Sequence, residues 1–410
     1  MAKKSILFVI NTLGMGGAER ALIALLSALP YDRIDLYLYV MMNRGELFVQ
    51  VPSRIHILNE EPDSGSVLDQ AGRRKMAGIV LKSCLKNFNL IRKFPYLLSN
   101  YLQQRKRGKV QPEKLFWRLV SDGAPVFDQK FDLAVAYLEG ASTYYVADHV
   151  KAEHKAAFIH IDYVNAGYTP QMDHHCYDKM EKIFVVSQGV SDSFLKVYPQ
   201  YQDKTERMSN MLDEYRIKQM AKKGPGFTDG FKGKRILTIG RLHPQKAYDI
   251  SIPAMKLLKD AGYPVRWYVL GEGPERPNLE KMISDLGLKN DFILLGAKMN
   301  PYPYLDEADI YIHATRFEGK SIAIEEAQTL GKAIIASDCT GNREEITNGV
   351  DGFLIPLDSQ EIFKAAARLL DDEALLDKFR KASIDMHAGK HGDVRPILNM
   401  IGEGSENDRK

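Results

Sequence analysis

The second half of the chain alternates short apolar runs with segments whose apolar residues recur at helical spacing. The apolar runs predict strands at residues 235–239, 265–270, 292–295, 310–314, 333–336 and 352–355. The helical spacing predicts helices at residues 249–261, 275–286, 301–307 and 321–330. Because regular alternation of strand and helix is typical of a parallel sheet with helices on both faces, we predict a doubly wound α/β domain here.

The first half shows the same alternation, with strands predicted at residues 4–10, 34–41, 55–58, 131–137, 156–163 and 183–186. A helix is predicted at residues 18–29, directly after the first strand and a glycine-rich loop. A chain of 410 residues exceeds what one hydrophobic core usually supports. We therefore expect two domains, at residues 1–205 and 206–386, followed by a glycine-rich, polar tail at residues 387–410.

Composition and cysteine spacing exclude several classes of protein. Apolar residues make up 45% of the chain and charged residues 27%, which indicates a folded protein rather than a disordered one. The three cysteines, Cys84, Cys176 and Cys339, are too scattered for a disulfide framework or a CxxC zinc site. The apolar run after Lys4 is too short for a signal peptide or a membrane span. We therefore expect a cytoplasmic protein.

A basic segment at residues 73–118 supplies the positive charge of the chain. It holds thirteen Lys and Arg residues against one acid, Glu113, whereas the formal net charge of the whole chain is only +3. Apolar and aromatic residues are interleaved with the cations, which resembles a surface helix lying on anionic lipid. Two other interpretations stay open at this point: nucleic-acid binding, and a solvated helical insertion that covers part of a sheet.

A glycine-rich loop follows the first predicted strand. Gly14, Gly16 and Gly17 would let the backbone approach a ligand closely at the carboxyl end of that strand, where open α/β sheets bind their ligands. A dinucleotide fingerprint would need glycine or alanine where Glu19 stands, which argues against a nicotinamide or flavin site. The alternative is that these glycines serve only a tight turn.

Two carboxylates, Glu318 and Glu326, lie on either side of the start of a predicted helix. The backbone N–H groups of Ser321 and Ile322, with the helix dipole behind them, form a seat for a phosphate group. Glu326 would then lie near the ribose hydroxyls of a nucleotide, and Glu318 near hydroxyls carried by its diphosphate. A nucleotide-sugar fits that description. The alternative is that the acidic residues merely stabilise the helix dipole.

Other candidate site residues follow predicted strands. Arg241 and Lys246 come after the first strand of the second half, where they could neutralise a diphosphate and stabilise it as it leaves. His160 and Asp162 lie near the end of another strand, although a lone histidine is more often structural. The sequence contains no Asp-x-Asp pair, so we expect no metal clamp.

Four motifs occur in a familiar order along the chain. They are Gly16-Gly17-Ala18-Glu19-Arg20, Gly240-Arg241-Leu242 with Gln245-Lys246, Leu270-Gly271-Glu272-Gly273-Pro274, and Glu318-Gly319 through Glu326-Ala327. In this respect the chain resembles the retaining glycosyltransferases of family 4 over nearly its whole length. The resemblance implies the glycosyltransferase B fold, in which two Rossmann-like domains face a central cleft. It also implies an acceptor-side first domain and a nucleotide-sugar-binding second domain.

The resemblance also implies roles for individual residues. Arg241 and Lys246 would bind the diphosphate, Glu326 the ribose and Glu318 the donor sugar. His160 would line the donor sugar, and Gly16 and Gly17 would lie beneath the diphosphate. The chain departs from the family at Lys320 and Ser321, where many relatives have an apolar residue and glycine. Tails in the family often cross back to the first domain, and both courses are open for residues 387–410.

The expected activity is transfer of a hexose from a nucleoside diphosphate sugar, uridine-linked, to a hydroxyl of a growing glycan. Retention of the anomeric configuration is implied by the resemblance alone. The donor is a substrate and no cofactor is expected. If residues 73–118 meet the inner face of a membrane, the acceptor is expected to be lipid-linked, with no nucleic-acid partner. The alternatives are an epimerase or sucrose-type synthase using the same crevice, and a cationic binding protein with a vestigial sugar site.

Overall fold

The computed structural model describes residues 3–108, 111–387 and 392–404. The chain divides into two compact units, Met1–Met211 with His391–Lys410, and Leu212–Lys390. The first boundary lies at residue 211, where the sequence predicted residue 205.

The first unit is built on a parallel sheet. Its strands are β1 (Lys4–Ile10), β2 (Ile34–Val40), β3 (His56–Ile57), β4 (Lys130–Ala136), β5 (Lys151–Ile159), β6 (Lys182–Val185) and β7 (Thr205–Arg207). Their order in the sheet is β3-β2-β1-β4-β5-β6-β7. Its helices are α1 (Gly17–Ala28), α2 (Gln70–Leu85), α3 (Asn89–Arg92), α4 (Phe94–Lys106), α5 (Pro112–Gly123), α6 (Ala141–His149), α7 (Tyr163–Ala166), α8 (Pro170–Asp173) and α9 (Gln188–Val197).

Strand β5 differs from its prediction at both ends. The apolar run predicted residues 156–163, but the strand begins at Lys151 and ends at Ile159. Its first half is polar, so hydrophobicity did not reveal it; it is a strand because Lys151 and Ala152 pair with Lys130 and Phe131 of β4. His160 is therefore the first residue after the strand, which places it at the carboxyl edge of the sheet.

The second unit repeats the plan with a six-stranded sheet. Its strands are β8 (Lys234–Ile239), β9 (Val265–Leu270), β10 (Phe292–Gly296), β11 (Ile310–His313), β12 (Ala333–Ser337) and β13 (Gly352–Ile355). Their order is β10-β9-β8-β11-β12-β13, and neighbouring strands are parallel. Its helices are α10 (Glu214–Ala221), α11 (Tyr248–Asp260), α12 (Arg276–Asp285), α13 (Tyr302–Glu307), α14 (Ile322–Thr329), α15 (Thr340–Glu345), α16 (Ser359–Asp371) and α17 (Glu373–His387).

Successive residues along the strands of this second sheet pack into different hydrophobic cores, one on each face. Ile236, Trp267 and Ile310 belong to one buried cluster, while their neighbours Leu237 and Tyr311 belong to another. A sheet covered on both faces needs apolar side chains at every strand position, which is why the strands appear as continuous apolar runs. The two doubly wound parallel sheets confirm the predicted fold class.

The basic segment forms a helical insertion in the first unit, made of α2 to α5. Its inner side packs against the core of the unit through Met76, Ile79, Val80 and Trp117. Its outer side carries nine of the sixteen large apolar side chains that are exposed in the described part of the chain: Leu81, Leu85, Phe88, Leu90, Ile91, Phe94, Leu98, Tyr101 and Leu102. Among the described residues, no helix has the length and apolar content that would let it cross a membrane.

The C-terminal residues return to the first unit. Helix α18 (Arg395–Asn399) places Ile397 and Leu398 in the hydrophobic core of that unit. Arg33 of the same unit donates a hydrogen bond to the main-chain oxygen of Glu403 at 3.2 Å. Residues 392–404 are therefore part of the first unit, whereas residues 388–391 lie outside the described residues.

Candidate functional site

The candidate site of the second unit lies where its strand order reverses. Strands β8 and β11 are neighbours in the sheet, and the chain runs outward from them in opposite directions. The loops that follow two such strands leave a crevice at the carboxyl edge, which is where open α/β sheets bind ligands. Residues 240–247 follow β8 and residues 314–321 follow β11.

These two loops are held together by main-chain contacts. The amide of Arg316 donates to the carbonyl of Gln245 at 2.8 Å, and the side chain of Gln245 donates to the carbonyl of Phe317 at 2.8 Å. Gly341, at the start of α15, supports the second loop from outside. A Cβ atom at Gly341 would meet the carbonyl oxygen of Glu318 at 2.6 Å, so this close approach requires glycine.

A buried cluster of Lys246, Glu318 and His313 connects the loops. The ammonium of Lys246 donates to Oε2 of Glu318, and both side chains are only about 15% exposed. Nε2 of His313 lies 3.3 Å from the same carboxylate oxygen and 3.4 Å from Nζ of Lys246. The hydroxyl of Tyr311 lies 3.2 Å from Nδ1 of His313. The cluster therefore joins a cation, an anion and an imidazole at the point where the strand order reverses.

The electrostatics of the cluster fix its charge state. Burial by itself would raise the pKa of Glu318, but the charge of Lys246 and then the hydrogen bond from His313 outweigh it and lower that pKa to about 2. Burial, with a contribution from Lys246, lowers the pKa of His313. At neutral pH the cluster is an ion pair beside a neutral imidazole.

Helix α14 begins beside this cluster. Ser321 is its N-cap: the Ser321 hydroxyl accepts a hydrogen bond from the amide of Ile324 at 3.4 Å and lies 3.2 Å from Nε2 of His313. The amides of Ser321 and Ile322 precede the hydrogen-bonded turn, at the positive end of the helix dipole. The predicted phosphate seat therefore lies next to Lys246 and Glu318 in this structure.

Glu326 is buried one turn further along α14. Its Oε1 accepts a hydrogen bond from the hydroxyl of Tyr302 at 2.8 Å. Burial raises the pKa of Tyr311, and the charges of Glu326 and Glu318 add to that rise. Arg241 lies on the same loop as Lys246 and is exposed. The second unit thus brings Lys246, Glu318 and Ser321 together, with Arg241, Ile322 and Glu326 nearby in the chain.

The first unit has its own reversal point, between β1 and β4. The loop after β1 contains Gly16, the N-cap of α1, and Gly17, its first residue. The side-chain amide of Asn11, at the start of this loop, donates to the carbonyl of Glu139 after β4 at 2.8 Å. The loop that contains Gly16 and Gly17 therefore begins at Asn11, whose side chain links the ends of β1 and β4.

His160 directly follows β5, the strand next to β4 in the same sheet. Its ring stacks on the ring of Phe158, with 5.7 Å between the ring centres, and packs against the ring of Tyr137, with 4.9 Å between the ring centres. Burial lowers the pKa of His160 to about 3, against a hydrogen bond to the main chain of Tyr137, so the ring is neutral. Nε2 is buried and has no hydrogen-bond partner among the described residues. This nitrogen is the part of the side chain that remains for a ligand.

Asp162 is occupied by local structure. Its carboxylate accepts hydrogen bonds from the amide of Asn165, at 3.2 Å, and from the hydroxyl of Ser193, at 2.6 Å. It therefore serves as the N-cap of α7. Sequence reasoning paired it with His160, but only the histidine presents a buried polar atom without a partner among the described residues.

Sequence reasoning missed His313, Tyr302 and Glu139. His313 ends an apolar strand, and the rule that strand ends carry site residues could have identified it. Nothing in the sequence indicated Tyr302, because its contact with Glu326 depends on how α13 packs against α14. Among the described residues, no group of three or more His, Cys, Asp or Glu side chains is placed to hold a metal ion.

Comparisons with known proteins found a family match in the second unit. Residues 229–386 match the family model described as Glycosyl transferases group 1. The chain is 24% identical, over 91% of its length and 91% of the relative, to the N-acetylgalactosamine-N,N'-diacetylbacillosaminyl-diphospho-undecaprenol 4-alpha-N-acetylgalactosaminyltransferase of Campylobacter jejuni. It is 33% identical to the UDP-Gal:alpha-D-GlcNAc-diphosphoundecaprenol alpha-1,3-galactosyltransferase of Escherichia coli, over 33% of this chain and 36% of that one.

Solved structures share the fold of the whole chain. The structure of Anabaena Alr3699/HepE in complex with UDP and glucose has a TM-score of 0.66 and 18% identity, and covers 97% of this chain and 98% of its own. The structure of TarM has a TM-score of 0.67 and 13% identity, and covers 98% and 99%. The relatives and the matching domain favour sugar transfer over the nucleic-acid-binding alternative.

Proposed function

We propose that this glycosyltransferase moves a hexose from a uridine-linked nucleoside diphosphate sugar to a hydroxyl of a growing glycan, with retention of the anomeric configuration. The observation that carries the proposal is the buried cluster of Lys246, Glu318 and His313 beside the N-terminus of α14. It combines a cation for a diphosphate with a carboxylate for sugar hydroxyls. The UDP and glucose bound by Alr3699/HepE support the choice of donor.

In this proposal the donor is held along the carboxyl edge of the second sheet. The amides of Ser321 and Ile322 bind the diphosphate, together with the side chains of Arg241 and Lys246. Glu326 accepts hydrogen bonds from the ribose hydroxyls. Glu318 accepts them from the donor sugar.

Donor binding requires Lys246 to change partner. In this structure its ammonium donates to the carboxylate of Glu318. A diphosphate offers Lys246 a more highly charged anion, and the sugar hydroxyls can then replace the ammonium at the carboxylate. The same contact stabilises the leaving group when the bond between the anomeric carbon and the phosphate oxygen breaks.

The acceptor hydroxyl attacks the anomeric carbon on the face that the diphosphate leaves, and its proton passes to the departing phosphate oxygen. From the first unit we assign His160 to the donor sugar, through the neutral Nε2, and the main chain at Gly16 and Gly17 to the diphosphate. These assignments rest on the family resemblance together with the buried, unpartnered nitrogen of His160 among the described residues.

We also propose that the helical insertion docks on an anionic lipid surface and that the acceptor is lipid-linked. Leu85, Phe88 and Ile91 are about 70% exposed on its outer side. Arg92 and residues 105–107 add exposed cations on α3 and around the end of α4. Apolar side chains flanked by cations are what an interfacial helix needs to bind anionic lipid. The undecaprenol-linked acceptors named for both quoted relatives agree with this assignment.

The activity is tested with a panel of nucleotide-sugars, by following donor hydrolysis and transfer to a lipid-linked saccharide. We expect one uridine-linked donor to raise the melting temperature and to be consumed. Glu326→Ala should weaken donor affinity and Lys246→Ala should reduce turnover about a hundredfold. Lys289→Ala, an exposed lysine of the same unit, is the matched control. If both site variants keep full activity, the proposed roles are wrong.

A further inference from the structure

Glu139 is a buried carboxylate at the point where the strand order of the first sheet reverses. It lies in the loop between β4 and α6 and is only 4% exposed. Its Oε1 accepts two main-chain hydrogen bonds, from the amide of His160 at 2.5 Å and from the amide of Ile161 at 3.2 Å. A carboxylate from one strand end therefore holds the backbone at the end of the neighbouring strand.

The same short segment also holds the imidazole of His160. Tyr137, two residues before Glu139, contacts the ring of His160 and supplies the main-chain hydrogen bond to it. Because Nε2 is the nitrogen without a partner among the described residues, we assign the main-chain contact with Tyr137 to Nδ1 as the donor. Residues 137–139 thus control both the backbone and the ring of His160.

Glu139 is itself anchored. Asn11 donates to the carbonyl of Glu139, and the amide of Ser142 donates to the side chain of Asn11 at 2.8 Å. The ends of β1, β4 and β5 and the start of α6 are therefore joined through polar contacts of Asn11 and Glu139. Such a network has few alternative arrangements, because breaking one contact leaves a buried polar group unsatisfied.

We propose that Glu139 is a positioning residue: by binding the amides of His160 and Ile161 it sets the direction in which Nε2 of His160 presents itself to the sugar. This inference rests on the proposed function, in which that nitrogen contacts the donor. It assigns Glu139 a role through the backbone amides of His160 and Ile161, which its Oε1 accepts, and not through contact with substrate.

Burial raises the pKa of the Glu139 carboxyl to about 7. Three backbone amides, those of Glu139 itself, His160 and Ile161, oppose that rise, and so does the charge of Lys114. The oxygen that accepts the amides is present in the neutral form as well as in the ionised form. Glu139→Gln also keeps an acceptor oxygen at this position, whereas Glu139→Leu removes it. Glu139→Asp keeps the charge but is one methylene shorter.

The first test is a double-mutant cycle on sugar transfer. We expect Glu139→Leu and His160→Ala each to lower kcat at least tenfold, and the double variant to be no worse than His160→Ala alone. Glu139→Gln should stay within threefold of the unchanged protein, and Glu139→Asp should fall between. UDP affinity should change less than twofold in all five variants. The inference is overturned if the loss of kcat in the double variant equals the product of the two single losses. It is also overturned if Glu139→Gln lowers kcat as much as Glu139→Leu does.

The second test does not depend on activity. In protein with ¹⁵N-labelled histidine, His160 should give the shifts of a single neutral tautomer with the proton on Nδ1, assigned by their loss in His160→Ala. Glu139→Gln should keep this signature and Glu139→Leu should lose it. An unchanged signature in Glu139→Leu refutes the positioning role even if the protein proves inactive with every donor. If the signature changes in Glu139→Leu but the unchanged protein transfers sugar from no donor, the proposed function is refuted instead.

Discussion

Lys320 shows how a single position can depart from a family pattern and still serve the fold. Its ammonium lies 2.6 Å from Glu325 and 3.7 Å from Glu345, and all three side chains are buried. Glu325 belongs to α14, and Glu345 ends α15. The lysine therefore fixes the loop of Glu318 against two helices, so this departure replaces apolar contacts with ionic ones.

We predict that Lys320→Met destabilises the protein by about 3 kcal/mol, because removing one partner leaves a buried charge uncompensated. Lys320→Met combined with Glu325→Gln should recover at least half of that loss, since the unpaired carboxylate is gone. Urea unfolding measures both, with Lys289→Met as the exposed control. A double variant no more stable than Lys320→Met would show that the ion pair does not hold this loop.

The ion pair of Glu318 and Lys246 predicts a defined pH dependence. The pKa of Glu318 in the folded protein, about 2, lies below the ordinary value of 4.5. The stability that Glu318 contributes is therefore complete above about pH 4.5 and is lost as the pH falls towards 2. We expect Glu318→Gln to cost about 2 kcal/mol at pH 7 and progressively less on acidification.

The measurement is urea unfolding of the unchanged protein and of Glu318→Gln between pH 7 and pH 3. Glu280→Gln, on the exposed surface of α12, is the control and should show no such convergence. A difference between the unchanged protein and Glu318→Gln that stays constant over this range would mean that the carboxylate is not paired in the folded protein.

Among the elements, the helical insertion differs most from the rest of the fold. Each other described helix exposes at most one large apolar side chain, whereas α2, α3 and α4 each expose two or more, among them Leu85, Ile91 and Leu98. Large exposed apolar patches normally mark binding surfaces. The inner side of the insertion is already packed against its own unit, so the outer side is the part available for lipid.

We predict that changing Leu85, Phe88 and Ile91 together to serine lowers binding to phosphatidylglycerol vesicles at least tenfold. The melting temperature should change little because these side chains are exposed. Co-sedimentation with vesicles gives the readout, and binding of the unchanged protein should weaken as salt is raised. Tyr215→Ser, at an exposed position of the second unit, is the control. Equal binding by the triple variant, or preference of the unchanged protein for DNA over vesicles, contradicts the lipid assignment.

At the scale of the whole molecule, the chain leaves its first unit and comes back to it. Leu398 and Ile397 are fully buried in the first unit, nearly two hundred positions after its main part ends. The first unit therefore cannot complete its core until the second has been synthesised. Deleting these contacts should affect one unit and spare the other.

We predict that Leu398→Ala lowers the stability of the first unit by about 3 kcal/mol, as expected for a large-to-small change in a core. Hydrogen exchange should quicken in β1 and β4 and stay unchanged in β8 and β11. Ile384→Ala, at an exposed position of α17, should cost less than about 0.5 kcal/mol. Equal acceleration of exchange in both sheets would show that the units do not respond separately.

Most strands and the fold class were predictable because a parallel sheet covered on both faces needs continuous apolar runs. The polar half of β5 was not, since its strand conformation comes from pairing with β4. The candidates Lys246, Glu318 and Ser321 were identified from their positions after strands and at a helix start. Their pairing with His313 was not, because residues 246 and 318 meet only through the order of β8 and β11.

The sequence by itself determined most of the strands and the helices of the second unit's core, where the charges concentrate and which side chains could serve a nucleotide-sugar, because these properties follow from local spacing and residue chemistry. The tertiary structure alone decided which strand ends are neighbours, and with them the partners of Glu139, His160 and Lys246. It also decided that the tail completes the first unit. These are contacts between residues far apart in the chain, and no local pattern specifies them.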